Sequence, residues 1–328
     1  MAKPGPRNLL TDVPGLLVGN AQDEKINTGT SIILAQSPAV AAVAVAGGGP
    51  GTRETDLLRA DTLVDAVDAV CLSGGSAFGL GAADGIVSRL KQAGRGFGLM
   101  DMPGVPKTPI VPGAILYDLA NGGDKDWGEA SPYPDLGKHA FDDASEDFAL
   151  GRIGAGHGAR AGALAGGLGS ASLVTTEGWT IGALAAVNCF GATQMPGTDC
   201  YWAWPYEIDG EFGGARPPED YRVEPEDWGA AKLNPSLGQN TTIACIGTDV
   251  TLTPGEAKRV AQMALSGFSR AIRPVFAPFD GDAVFVLSTG KATLTEPKPT
   301  NLARLGELAA NTLARAIARG VYRANTLA

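Results

Sequence analysis

The chain has 328 residues, 44% of them hydrophobic, and a formal net charge of −9 at pH 7. This length and apolar content allow a large core, as one big domain or two smaller ones. The negative charge argues against nucleic acid as a partner. No apolar run reaches the roughly 18–20 residues of a membrane helix, and the first residues lack an apolar signal core. We therefore expect a cytoplasmic protein with no membrane partner.

The chain has few histidines and cysteines. Only two histidines, His139 and His157, are present, which leaves a Ser-His-Asp enzyme few candidates. The four cysteines show no C-x-x-C spacing, and two of them lie in apolar runs that are typical of buried free thiols. We expect neither a cofactor nor a metal.

Charge is unevenly distributed along the chain. From Thr241 onward there are 10 Lys and Arg against 6 Asp and Glu, a net of +4, whereas the preceding part has 16 against 29, a net of −13. The acidic part before Thr241 and the basic part from Thr241 onward would attract each other. Alternatively, arginines of a terminal helix often lie on its solvent face, which fits Arg304, Arg315, Arg319 and Arg323.

The first half of the chain reads as strands and one helix. Short apolar runs predict strands at residues 15–19, 30–34, 40–45 and 69–72. Ser76 is a natural N-cap for a helix that runs to about Lys91.

The middle of the chain is less regular. Residues 121–150 are acidic and predict a surface excursion, and residues 153–172, mostly Gly, Ala and Ser, predict either a tightly packed helix or a turn lining the substrate. A strand from Trp179 to Val187 follows. Residues 196–237 predict a long irregular loop, which in a compact domain is usually functional or mobile.

The last part alternates strands with amphipathic helices. We predict a strand from Thr241 to Val250, a helix opened by a capping box at Thr253 and Glu256, a strand at 283–287 and a helix over about 301–323. The pattern indicates half-buried sheets stacked on each other with helices outside.

A polar interruption, Gln239-Asn240-Thr241-Thr242, follows Gly238 and precedes the apolar run from Ile243. It is consistent with a turn before a β-branched strand. It also fits a chain that cuts itself and exposes Thr241 as an N-terminal nucleophile. The α-amine of such a residue has a pKa of about 7.7–8.0, so it can act as the base.

Three other positions are candidates for the chemistry. Asp280-Gly281-Asp282 reads as a hairpin turn or as a carboxylate pair that orients Thr241; a metal pair is less favoured because no third ligand accompanies it. Asn188, at a strand end, is either a cap or an oxyanion donor. Tyr117 is either a core tyrosine or a second donor.

Two glycine-rich segments are candidate anion sites. Residues 47–51 match neither phosphate-binding template, so a structural turn is favoured. The sequence around Ser76 lacks the last glycine of a nucleophile elbow, although amides at a helix start can bind an anion.

Several stretches together resemble one family, the self-processing L-aminopeptidase/D-esterase (DmpA-like) peptidases, which include β-aminopeptidases and nylon-oligomer hydrolases. The resemblance covers nearly the whole chain and is carried by these stretches: residues 10–15, 47–57, 72–80, 110–114, 154–156, 187–188, 240–242 and 271–287.

The resemblance implies a four-layer αββα sandwich like that of N-terminal-nucleophile hydrolases, with different connectivity. It implies one domain, residues 1–328, that is cut between Asn240 and Thr241 into a 240-residue α piece and an 88-residue β piece that stay together. Thr241 would be the nucleophile, Asn188 and Tyr117 oxyanion or substrate contacts, and the Asp280–Asp282 pair its assistants. The family tends to form tetramers of the αβ unit, so a homo-oligomer is expected.

The chain departs from both branches of the family. The aminopeptidases resemble one another in having a serine nucleophile, with Ser and Glu near positions 280 and 282. Thr241 with two aspartates is closer to the nylon-oligomer hydrolases, but those have a lysine where Ala163 stands, and only Arg160 is nearby.

The resulting hypothesis is a hydrolase of small peptides, amino-acid amides or amide oligomers that works through an acyl-enzyme. Alternatives are a 6-aminohexanoate-oligomer endohydrolase, an acyltransferase using the same threonine, and a phosphate-binding protein using the 47–51 loop. Cyclisation of Asn240 is a second route to the cut.

Overall fold

The structure is a computed structural model that describes residues 2–98, 100, 102–232 and 240–326. The predicted turn at Gly238-Gln239 and the last part of the predicted 196–237 loop lie outside the described residues. Within the described ranges, no helix is long and apolar enough to cross a membrane.

Eleven strands occur among the described residues: β1 (Leu16–Asp23), β2 (Thr28–Val45), β3 (Thr52–Arg53), β4 (Ala66–Ser73), β5 (Gly113–Ile115), β6 (Arg160–Ala161), β7 (Leu164–Ala165), β8 (Gly167–Val174), β9 (Thr180–Asn188), β10 (Thr241–Val250) and β11 (Ala283–Ala292). Four α-helices accompany them: α1 (Ala82–Gln92), α2 (Tyr133–Asp142), α3 (Pro254–Ala271) and α4 (Lys298–Thr326).

The long strand β2 joins two sheets into one hydrogen-bonded system. The order is β3-β5-β4-β2-β11-β10-β9-β8, with β1 also on β2. The first half of β2 pairs with β1 and β4, its second half pairs with β11, and its pairing with β4 shifts register between Leu34 and Ala39. The separate strands predicted at 30–34 and 40–45 are therefore one strand.

Three hydrophobic cores separate four layers. One core lies between α1, α2 and the sheet of β1, β2 and β4, and another lies between α3, α4 and the sheet of β8 to β11. The third fills the space between the two sheets and includes Ile33 and Leu72 from one side and Ile243 and Phe285 from the other. The predicted αββα layering is confirmed, and its cause is that each sheet is apolar on both faces.

The helix that carries the capping box is confirmed. The hydroxyl of Thr253 accepts from the backbone N–H of Glu256, and the Glu256 carboxylate accepts from the backbone N–H of Thr253. The helix predicted from Ser76 differs from expectation, because residues 76–81 form a 3-10 turn before α1 and Ser76 makes no capping bond.

In the middle of the chain, the surface prediction for 121–150 was incomplete, and the helix alternative for 153–172 was wrong while its turn alternative stays a prediction. Residues 121–150 are not only a surface excursion, because Tyr133 of α2 is fully buried beneath α1. Residues 153–172 form no long helix; they contain a 3-10 turn at Gly154–Gly156, the β6–β7 pair and part of β8. Small residues there allow the close approach of neighbouring backbone.

Two arginines of α4 are buried, which corrects, for these two, the alternative that placed them on the solvent face of the helix. Arg315 is 1% exposed and Arg319 7%. The Nε of Arg315 lies 2.5 Å from one carboxylate oxygen of Glu211, and the Nε of Arg319 lies 3.4 Å from the other. This ion pair joins the acidic part of the chain to the basic part across the predicted cut.

Helix α4 lies directly on β8 where two glycines meet. A Cβ added to Gly169 would lie 2.7 Å from the Cα of Gly320 and would collide with the Ala316 carbonyl oxygen. We expect Gly169→Val to lower the free energy of unfolding by about 1–3 kcal/mol, measured by urea denaturation, because the helix must move away. The control Gly255→Ala places its Cβ in open space and should not lower the free energy of unfolding. Equal stability of the two variants would contradict this packing.

Candidate active site

Thr241 is the first residue of β10 and lies opposite Asn188, the last residue of β9. Residues directly opposite each other in an antiparallel pair project to the same face. Thr241 is 3% exposed and Asn188 is fully buried. The strand register therefore brings these two predicted site residues together in a dry environment.

The carbonyl of Asn240, at the predicted cut, receives two donors. The backbone N–H of Gly281 donates to it at 3.2 Å, and the Thr241 hydroxyl also donates to it. The Thr241 hydroxyl therefore lies beside a carbonyl that a backbone amide polarises.

Gly281 packs directly against the nucleophile candidate. A Cβ added there would lie 2.6 Å from the Thr241 hydroxyl oxygen and 3.0 Å from the Gly49 carbonyl oxygen. Only glycine therefore lets the chain pass this close to Thr241.

Asp280 and Asp282 lead into β11, which runs parallel to β10, so the hairpin reading of this segment was wrong. Asp282 accepts from the backbone N–H of Thr242 at 2.6 Å and from that of Phe276 at 3.3 Å. One Asp280 oxygen accepts from the backbone N–H of Ala277 at 2.9 Å. The other is buried and has no partner among the described residues.

Burial raises the pKa of both carboxyls. The pKa of Asp282 rises to about 7, first because its charge is desolvated and second because Asp280 lies nearby. Burial also raises the pKa of Asp280, while the Lys232 ammonium opposes that rise. Burial therefore favours the protonated form of Asp282 up to about neutral pH.

The side chain of Asn188 is held from several directions. Its Nδ2 donates to the Tyr117 carbonyl at 2.9 Å, and its Oδ1 accepts from the Arg160 backbone N–H at 2.9 Å and from Asn121 at 3.2 Å. Tyr117 thus meets Asn188 through its carbonyl. Its hydroxyl makes no hydrogen bond within the described part of the chain.

The side chain of Asn240 is fully buried, yet neither its nitrogen nor its oxygen has a partner among the described residues. Unsatisfied buried amides are costly and uncommon in folded proteins. Within the described ranges, the side-chain amide at the predicted cut is therefore unsatisfied.

Lys232 is a residue near the site that the sequence patterns did not single out. Its Nζ lies 3.5 Å from the Asn188 carbonyl oxygen. Burial lowers its pKa to about 8, against the opposing effects of Cys189 and Asp280. Nylon-oligomer hydrolases are expected to have lysine where this chain has Ala163. The backbone N–H of Ala163 donates to the Ala230 carbonyl at 2.7 Å, and Ala230 precedes Lys232 by two residues.

A cavity of about 500 Å³ adjoins this region. Its lining includes Lys232 and the rings of Phe190, Trp228 and Phe279. Phe190 follows Asn188 by two residues, and Phe279 precedes Asp280, so the cavity lies beside the paired strand ends.

Both glycine-rich segments use their amides internally. The amides of Gly47, Gly48 and Gly49 donate to carbonyls of residues 277–282. Gly75 donates to Asp118, and Ser76 donates to the Leu116 carbonyl. The structural-turn reading of 47–51 agrees with these bonds, and the amides at 75–76 are not presented to an anion.

The sequence patterns missed Gly281 and Lys232. Gly281 stood between two acids just before a strand, a pattern that also predicts a hairpin. Lys232 lies in an irregular loop whose path no local pattern gives. The assignments of Thr241, Asn188, Tyr117, Asp280 and Asp282 as catalytic residues stay predictions.

The chain matches the model of peptidase family S58 over residues 8–328. It is 40% identical to an uncharacterised aminopeptidase of Mycobacterium tuberculosis, over 98% of this chain and 95% of the relative. It is 28% identical to a 6-aminohexanoate-oligomer endohydrolase of Kocuria sp., over 92% of this chain and 80% of that protein.

Two solved structures share the fold. A β-aminopeptidase of Burkholderia sp. superposes with a TM-score of 0.70 at 22% identity, covering 98% of this chain and 88% of the other. The L-aminopeptidase D-Ala-esterase/amidase of Ochrobactrum anthropi, described as a variant of the Ntn hydrolase fold, gives 0.68 at 20%, covering 98% and 87%. The chain is thus a hydrolase acting on amide or peptide bonds, and it belongs to peptidase family S58.

Proposed function

We propose that the chain cuts itself between Asn240 and Thr241 and then uses Thr241 as an N-terminal nucleophile to hydrolyse small peptides or amino-acid amides. The observation that carries this proposal is the Asn240 carbonyl, which accepts from both the Gly281 N–H and the Thr241 hydroxyl.

Self-cleavage begins with attack of the Thr241 hydroxyl oxygen on the Asn240 carbonyl carbon. The Gly281 N–H stabilises the negative charge that develops on the carbonyl oxygen. The C–N bond breaks, the departing nitrogen takes a proton, and an ester joins the two pieces. Water then hydrolyses this ester, leaving a carboxylate on Asn240 and a free amine on Thr241.

The mature site repeats the same chemistry on a substrate. The free amine of Thr241 takes the proton of its own hydroxyl while the oxygen attacks the substrate carbonyl. The Asp280 oxygen that has no partner among the described residues would accept from the new ammonium. Asn188 would act on the oxyanion once its amide turns from Tyr117. Water then hydrolyses the acyl-enzyme.

A second candidate is hydrolysis of ω-amino-acid oligomers. The 28% identity to a 6-aminohexanoate-oligomer endohydrolase favours it, as does the threonine with two aspartates. Products from aminohexanoate oligomers, compared with those from amino-acid amides, would separate the two candidates.

We expect Thr241→Ala to give one uncut, inactive chain, because the hydroxyl is the attacking group. Thr241→Ser is the matched control and should still yield pieces of 240 and 88 residues. Intact mass under denaturing conditions measures both. A cut in Thr241→Ala, lost only in Asn240→Ala, would show that Asn240 cyclises instead and would overturn the proposal.

We expect Gly281→Ala to slow self-cleavage by roughly 10²-fold, because the new methyl displaces the Thr241 hydroxyl. A time course of piece formation during cell-free synthesis measures the rate. The control is Gly49→Ala, whose Cβ would have contacts no closer than 3.6 Å. Normal cleavage in Gly281→Ala would show that the Thr241 hydroxyl does not need the space that glycine leaves.

Asp282 should make stability depend on pH in the uncut Thr241→Ala protein. Its pKa is about 7 in the folded chain and about 3.9 in the unfolded chain. The folded chain therefore keeps a proton that the unfolded chain has lost, so this group's contribution to stability falls as pH rises from about 4 to 7.

Replacing Asp282 by Asn in that background should flatten the decline of the urea midpoint between pH 5 and 7. The exposed Asp220→Asn is the control and should leave the slope unchanged. An identical slope in both variants would show that Asp282 does not hold its proton in the fold.

A further inference from the structure

The cavity beside the paired strand ends has the composition of a binding pocket for an apolar group. Phe190 stands edge-on to Trp228 at 5.7 Å and to Phe279 at 5.0 Å between ring centroids. Pockets of about 300–1,000 Å³ with mostly apolar walls and few polar groups are typical of small-molecule sites, and this cavity has about 500 Å³.

Its position connects it to the reacting bond. Phe279 precedes Asp280, which bridges Asn240, and Phe190 follows Asn188, which pairs with Thr241. Lys232 lines the cavity and also contacts the Asn188 carbonyl oxygen at 3.5 Å. Lys232 therefore connects the cavity to the strand end that lies opposite Thr241.

The open side of the cavity carries negative charge, opposite in sign to that of Lys232. Glu226 and Asp227 line it and are exposed. Trp228 is 55% exposed although it is a large ring, and it also lines a second cavity of about 330 Å³. An exposed tryptophan between two cavities is available to a ligand.

We propose that this cavity binds an apolar group, aromatic or a chain of several carbons, next to the scissile amide, so that the enzyme selects apolar amides with a free amine over small ones. The rings would bury the apolar group, and the carboxylates at the open side would favour a positive charge there over a negative one. Lys232 would donate to an oxygen of the bound amide. The inference rests on the function proposed above.

The test compares substrates in pairs, after intact mass has shown that the protein is cut. One series varies the acyl side, with alanyl, leucyl and phenylalanyl p-nitroanilides. The other varies the leaving side, with the methylamide, hexylamide and benzylamide of alanine. In one of the two series, we expect kcat/KM of the wild type to be at least about tenfold higher for the larger group. The reason is that each extra carbon buried in an apolar pocket raises kcat/KM by about that factor or more. That series identifies the side of the amide that the cavity binds.

Two variants connect the preference to the cavity. Trp228→Ala and Phe279→Leu should each reduce the preference ratio about tenfold. Phe78→Ala is the matched control, because Phe78 is a ring of similar exposure, 54%, that packs on Trp127 instead. Its ratio should equal that of the wild type.

The outcomes separate this inference from the proposed function. A cut enzyme that hydrolyses none of these amides would overturn the proposed function and the pocket with it. Hydrolysis without a size preference in either series would overturn only the pocket. A preference that both variants retain would also overturn it, since the selectivity would then lie elsewhere.

Discussion

The site depends on the pairing of β10 with its neighbours at the point where the strand begins. On one side Thr241 lies opposite Asn188, and on the other Asn240 bridges Asp280 while its carbonyl accepts from Gly281. A shift of one residue would turn the Thr241 side chain to the other face of the sheet. The register therefore sets which peptide bond is polarised and which hydroxyl lies beside it.

Buried charge is the second constraint, and the fold places it in two locations. Glu211 with Arg315 and Arg319 forms a buried cluster that crosses the predicted cut. Breaking such a cluster leaves an uncompensated buried charge, which is strongly destabilising. This cluster therefore supplies a physical reason for the two pieces to stay together if the proposed cleavage takes place.

The Asp280–Asp282 pair uses burial differently, because its carboxyls lie close together and few charges compensate them. Desolvation raises the pKa of both, and Lys232 opposes the rise at Asp280. The loop that carries Lys232 also carries Trp228, and both side chains line the cavity. One irregular segment thus combines an electrostatic contribution at the acids with the apolar wall proposed for substrate selection.

Local signals in the sequence determined the capping box at Thr253, the apolar strand from Ile243 and the polar interruption at Thr241, because each depends on near neighbours. The order of apolar runs was also enough to indicate two packed sheets between helices. Distant contacts decided the rest. Arg315 looks like a solvent-facing helix residue until Glu211 meets it, and Asp280-Gly281-Asp282 looks like a hairpin until β11 pairs in parallel with β10. Only the tertiary structure brings Gly281 to Thr241 and Lys232 to Asn188, since the two members of each pair lie tens of residues apart and no local pattern records them.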